Sequence, residues 1–211
     1  MKVTNVYDLK EYVSAHDSCS PIRGYVVMTD EDGKTLFAKH NMIVENGREL
    51  IRDLVYDNVF YTNINDISKA NRTVSFSSIK FGNNNSVTIP SDIALHGDKL
   101  ISFNIIRQSI SPTEDIIKSI NMQCLNSSTK KYENKSIADD DLSISNTDGG
   151  QRCILISAKI DISDITATPT ISEAGLFFNE GGTEKLFSRV AFAPITINSN
   201  NVYNLNYYIY F

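Results

Sequence analysis

A chain of 211 residues with 41% hydrophobic and 21% charged residues has the composition of a folded globular protein, long enough to bury a core without disulfides or metals. Its formal net charge of −5 offers no concentrated basic face, so nucleic acid is not an expected partner. No apolar run approaches the roughly 20 residues needed to cross a bilayer, so no membrane partner is expected either.

In chain order, the first segment is MKVTNVYDLKEY, which lacks the apolar stretch of a secretory signal. Val6, Leu9, Tyr12 and Val13 recur at helical spacing, which predicts a short helical arm within residues 1–20. Tyr25 to Met28 is β-prone, DEDG is turn chemistry and KTLFAKH resumes a strand, so a hairpin is expected. The period then changes. Leu50, Ile51, Leu54 and Val55 make one apolar stripe, with Asn46 as the expected cap and Glu49 three residues on, predicting a helix over about 46–58.

RTVSFSSIKFG reads as a strand and GNNNSVTIPSD as a loop. KLISFNIIRQSI and DIIKSINMQC are β-prone and joined by SPTED. A polar window at about 125–152 reads as a long hairpin or an excursion from the sheet, the kind of loop that often carries contacts. RCILISAKIDIS resumes a strand. In the terminal VYNLNYYIYF, Tyr203, Leu205, Tyr207, Ile209 and Phe211 share one apolar face. The expected fold is therefore mostly β: an antiparallel β-sandwich over residues 21–211 with one amphipathic helix.

Chemistry-bearing motifs are sparse. His16, His40 and His96 are the three histidines, dispersed and without a nucleophile signature; His96, in ALHGDK, reads as part of a polar turn. Cys19, Cys124 and Cys153 lack metal or redox spacing and read as buried thiols. Asp139 to Asp141 lacks the ligand order of a calcium loop. DGGQR and NEGGTE are glycine turns, not phosphate cradles. No catalytic, cofactor-binding or metal-binding residue is expected, and the chain reads as a non-enzyme.

One constellation stands apart. In ISEAGLFFNEGGTEKLFSRVAFAP, Glu173 and Arg189 lie on two strands joined by a Gly181-Gly182 turn. A hairpin brings them directly opposite or diagonal, within reach of long side chains. An arginine–carboxylate fork positions well but lacks the second carboxylate or the histidine that catalysis needs. A structural brace is the expected role, and Gly175 marks a point of close approach.

Three stretches, taken in order, resemble small virion proteins of tailed bacteriophages. They are GYVVMTDEDGKTLFAKHNMIVENGRELIRDLV, containing the pattern HN.IV..GR with Asn41 and Arg48; IKFGNNNSVTIPSDIAL; and the EAGLF…FSRVAF.PI hairpin with its aromatic terminal strand. The likeness covers about residues 22–95 and 170–211 and leaves out the middle. It implies a virion-located building block of the tail, baseplate or collar, a homo-oligomer contacting other tail, neck or baseplate proteins. Glu173, Arg189, Gly175, Asn41 and Arg48 are the expected structural brace or assembly residues. The alternative it leaves open is a tail-fibre module that binds a host glycan.

Overall fold

A computed structural model describes residues 22–60, 74–111, 114–126, 128–135, 142–148, 151–163 and 168–210. The expected arm of residues 1–20 lies outside them. The described chain runs β1 (Arg23–Asp30), β2 (Thr35–Ile43), α1 (Glu45–Phe60), β3 (Val74–Gly82), β4 (Lys99–Ser111) and β5 (Glu114–Leu125). It continues through β6 (Tyr132–Lys135), β7 (Leu142–Asp148), β8 (Gln151–Asp161), β9 (Thr170–Glu180), β10 (Thr183–Thr196) and β11 (Val202–Tyr210).

All strand pairs are antiparallel, in the order β6-β5-β4-β3-β9-β10-β2-β1-β11-β8-β7. Strand β2 turns the corner between two layers. Its first part pairs with β1, whereas only Met42 and Ile43 pair with β10. The sheet curls on itself, as a sandwich-like, mostly-β fold requires. One core fills the space between the layers. Val26, Met28, Ile156 and Tyr207 come from one side, and Ile79, Phe81, Phe103, Leu176 and Phe178 from the other.

Period-two alternation explains the terminal strand: Tyr203, Leu205, Tyr207 and Ile209 enter that core, while Tyr208 packs on the opposite face with Tyr25, Val27 and Cys153. Strand β9 differs. It is buried on nearly its whole length, because Val44 and Leu95 cover the face that turns away from the core. The polar window near 125–152 supplies β6 and β7, the two outermost strands. Edge positions are where polar strands cost least.

The helix begins one residue before the expected cap. Val44 O accepts the Arg48 N–H at 3.0 Å, and the Glu45 N–H is taken by Pro90 O at 2.8 Å. A tertiary carbonyl thus satisfies one of the N–H groups that the first turn leaves without an intrahelical partner. Asn46 accordingly lies inside the first turn and is not the cap. Leu50 is buried and Ile51 packs beside it.

The curl brings the far strands together. Lys135 of β6 pairs with Asp161 at the end of β8 at 2.9 Å and donates to Ser163 Oγ at 3.1 Å. Burial works to raise the Asp161 carboxyl, but the Ser163 N–H and Lys135 outweigh it and hold it down at about 2. A carboxyl depressed in the fold stabilises it above the ordinary carboxylate pKa. That contribution is lost as pH falls toward the depressed value. The melting temperature is expected to fall between about pH 4 and pH 2, and Asp161→Asn to flatten part of that fall. Identical acid titrations of the two proteins would remove Asp161 from the account.

Candidate functional site

The β9–β10 register sets Glu173 opposite Ala191 and Gly175 opposite Arg189, so Glu173 and Arg189 are diagonal neighbours. Both are fully buried. Arg189 Nε donates to Glu173 Oε2 at 2.7 Å. A second carboxylate completes the arrangement: Arg189 Nη1 donates to Asp92 Oδ2 at 3.1 Å, and Asp92 is itself buried. The remaining nitrogen, Nη2, donates to Ser86 Oγ at 3.3 Å. Asp92 and Ser86 both belong to the loop 83–98 that joins β3 to β4.

The same carboxylates tie down that loop's backbone. Glu173 Oε1 accepts the Gly97 N–H at 2.7 Å, and Oε2 accepts the His96 N–H at 3.1 Å. Asp92 Oδ2 also accepts the Ile89 N–H at 3.1 Å. At the loop's base, Asn83 Oδ1 accepts the Asp98 N–H at 2.9 Å. Loop backbone packed against a sheet must find partners for its N–H groups. Here two carboxylates and the Asn83 amide oxygen supply them, and the Arg189 guanidinium meets the charge of both carboxylates.

Gly82 makes room for this. A Cβ there would stand 2.4 Å from Glu173 Oε1, closer than real atoms approach. At Gly175 the nearest atoms are the ends of flexible side chains, Leu186 Cδ1 at 2.9 Å and Leu95 Cδ2 at 3.0 Å. Gly82 is therefore the tighter approach.

The other sequence-nominated residues lie apart from the clamp. Arg48 Nε donates to Ile43 O at 3.0 Å, which fixes α1 to the end of β2. Asn41 is buried beside the Tyr207 hydroxyl, yet neither its amide oxygen nor its nitrogen reaches hydrogen-bond geometry. Tyr207 shares a short hydrogen bond with Ser188, and burial pushes its hydroxyl up to about 12. Neither Asn41 nor Arg48 touches Arg189 through a hydrogen bond. Cys124 and Cys153 are buried and form no disulfide. Burial, with Glu133 adding to it, pushes Cys124 up to about 12, which makes it unreactive at neutral pH.

A second polar brace lies on β10. Glu184 accepts from Ser77 at 3.0 Å and from Ser78 at 2.7 Å, and it pairs with Lys80. Lys80 Nζ sits 4.4 Å from the centroid of the Phe177 ring. Burial opposes ionisation of Glu184, but the Lys80 and Ser78 hydrogen bonds win and lower its pKa. This brace spans from β3 to β10 across β9.

No family model, curated protein or solved structure matches the chain. Among the described residues, no three His, Cys, Asp or Glu side chains converge as metal ligands, and no helix is long and apolar enough to cross a membrane.

What the clamp presents outward is apolar. Val87 is 81%, Ile89 48% and Ile93 76% exposed. Three of the four exposed large hydrophobic residues among those described thus ride on one loop, whose underside is bolted to the sheet by buried charge. Sequence reasoning found Glu173 and Arg189 and missed Asp92, His96, Ser86 and Gly82. One signal was available: a buried guanidinium has five donors, more than one glutamate can serve.

Proposed function

We propose that this chain is a structural subunit of a tailed-bacteriophage virion, in the tail, baseplate or neck, working by oligomeric assembly. The observation that carries the reading is the clamped loop with its exposed Val87, Ile89 and Ile93. Apolar side chains clustered on a surface mark contact sites. Holding them on a pre-ordered loop spares the ordering cost that a mobile loop would incur on binding. The virion-protein likeness adds support, since its FG-loop and EAGLF…FSRVAF stretches both contribute to the clamp.

The alternative, host-glycan binding, would draw on exposed aromatic rings. Tyr132 is 41% exposed, but its hydroxyl donates to Lys99 O at 2.9 Å and Lys99 Nζ sits 4.4 Å from the ring centroid. One face of that ring is already occupied, and assembly is the better-supported reading.

Combining Val87→Asp with Ile93→Asp is expected to leave the melting temperature within a few degrees, because both side chains are exposed. It should weaken incorporation into virions at least tenfold, measured by quantitative mass spectrometry of purified particles. The decisive observation is the protein's place and copy number in a cryo-EM reconstruction of the particle. Recovery of the intact protein only outside virions would overturn the assignment.

A further inference from the structure

Bracing explains Glu173 and Asp92, but it does not require the environment of the Ser86 hydroxyl. Ser86 is exposed, yet its Oγ lies 2.7 Å from His96 Nδ1 and 3.3 Å from Arg189 Nη2. An arginine can only donate. Oγ accepts from Arg189, and because the Asp92 carboxylate can only accept, the proton of the neutral ring sits on Nε2 and leaves Nδ1 to take the Oγ proton. His96 Nε2 lies 2.9 Å from Asp92 Oδ1. Asp92 in turn is fixed by the Ile89 N–H and by Arg189 Nη1, each at 3.1 Å.

We propose that Ser86 is an activated nucleophile that takes acyl groups from carboxylic esters, with His96 as its general base and Asp92 positioning the imidazole. The proposal goes beyond the assembly reading and does not rest on it. A nucleophile bonded to a base that is oriented by a third group is the arrangement covalent catalysis uses, and it is recognised by geometry and not by order in the chain.

The step balances within these residues. Ser86 Oγ bonds to the ester carbonyl carbon while its proton passes to His96 Nδ1. Asp92 stabilises the imidazolium through the Nε2–H. The bond from carbonyl carbon to the alkoxy oxygen then breaks, and His96 returns the proton to the departing alcohol. Water, deprotonated by the same nitrogen, hydrolyses the acyl-serine and regenerates the hydroxyl. Arg189 Nη2, donating to the reacting oxygen, favours negative charge there.

Two features define the reaction further. Ser86 stands on an exposed loop, which suits an ester carried on a larger molecule, and the exposed Val87 beside it gives the acyl group an apolar neighbour. The Ser86 N–H already donates to Asn84 Oδ1 at 2.8 Å, so it does not serve an oxyanion. Acylation and deacylation both proceed without that donor, so the reaction is read as a covalent adduct from activated acyl or phosphonyl donors.

The test treats the full chain with a fluorophosphonate probe, and separately with p-nitrophenyl acetate, and locates the adduct by peptide mass spectrometry. The expected result is an adduct on Ser86 forming about 100-fold faster than any on Ser91, an exposed serine of the same loop. Ser86→Ala abolishes it, Ser91→Ala leaves it unchanged, and His96→Gln slows it about 100-fold. No adduct on Ser86 overturns the proposal, as does one whose rate ignores His96→Gln. Should His96→Gln lower the melting temperature, the ratio of Ser86 to Ser91 labelling in the unaltered protein decides alone, and equal labelling of the two overturns the proposal.

Discussion

Arg189→Leu is expected to cost about 3–5 kcal/mol in folding free energy, the usual penalty for removing one partner of a buried ion pair. Native stability is commonly about 5–15 kcal/mol in total, so much of the fold's margin would go. The reason lies in what remains. Glu173 and Asp92 would stay buried at 0% and 4% exposure with no cation between them, and two like charges in one dry site repel. Apolar replacement of the whole triad offers no escape, because the His96, Gly97 and Ile89 N–H groups depend on those carboxylates. Glu173→Gln keeps shape and an acceptor but removes the charge, and should cost less, about 1–3 kcal/mol. Urea denaturation checks both values and their order. A loss under about 1 kcal/mol for Arg189→Leu would contradict a dry, fully paired clamp.

Much of this arrangement can be read along the chain, and the unreadable part is the part that crosses it. The β9–β10 hairpin is legible because Gly181-Gly182 can take positive φ, observed at 59° and 84°, and because Glu173 and Arg189 flank that turn at matching distance. The terminal strand is legible because tyrosines and aliphatic residues alternate with asparagines in its first half. β9 is harder. Its second buried face is covered by Leu95 and Val44, and alternation within β9 does not announce a cover that comes from elsewhere.

Asp92 and His96 are the main omissions, and the cause is physical. GNNNSVTIPSD has the residue types of a solvated loop, and its polar side chains do face loop backbone. What turns it into a buried site is pairing with Arg189, 97 positions away. That pairing exists only because β3 lies beside β9 in the sheet, a neighbour relation that local pattern does not carry. Asn46 fails as a cap for a similar reason: Pro90 O reaches the helix start from the same loop. Both differences trace to one packing event, the descent of residues 83–98 onto the sheet.

Gly47→Ala tests that packing from the helix side, through two effects of opposite sign. In an exposed helix interior, alanine is favoured over glycine by about 0.8–1.0 kcal/mol. Here a Cβ would meet Phe187 O at 2.3 Å, with Ile43 Cγ2 and Phe187 Cδ2 each at 3.0 Å. A side-chain tip could swing aside, but a backbone carbonyl cannot. Phe187 O is also held in place, since it accepts the Val44 N–H at 3.1 Å. Relieving the contact means lifting α1 from β10, which stretches that bond and the neighbouring bond from Glu45 N to Pro90 O. The loop carrying Asp92 would then lose one of its anchors. Overpacking of this kind costs typically about 1–3 kcal/mol and exceeds the propensity gain. Because a backbone carbonyl cannot yield, the cost lies at the upper end, about 3 kcal/mol, and Gly47→Ala is expected to destabilise by about 2 kcal/mol net, against less than about 1 kcal/mol for Gly175→Ala, where flexible tips can yield. Chemical denaturation of the pair decides the matter. A Gly47→Ala protein more stable than its parent would mean that propensity wins and that α1 does not sit on Phe187 as described.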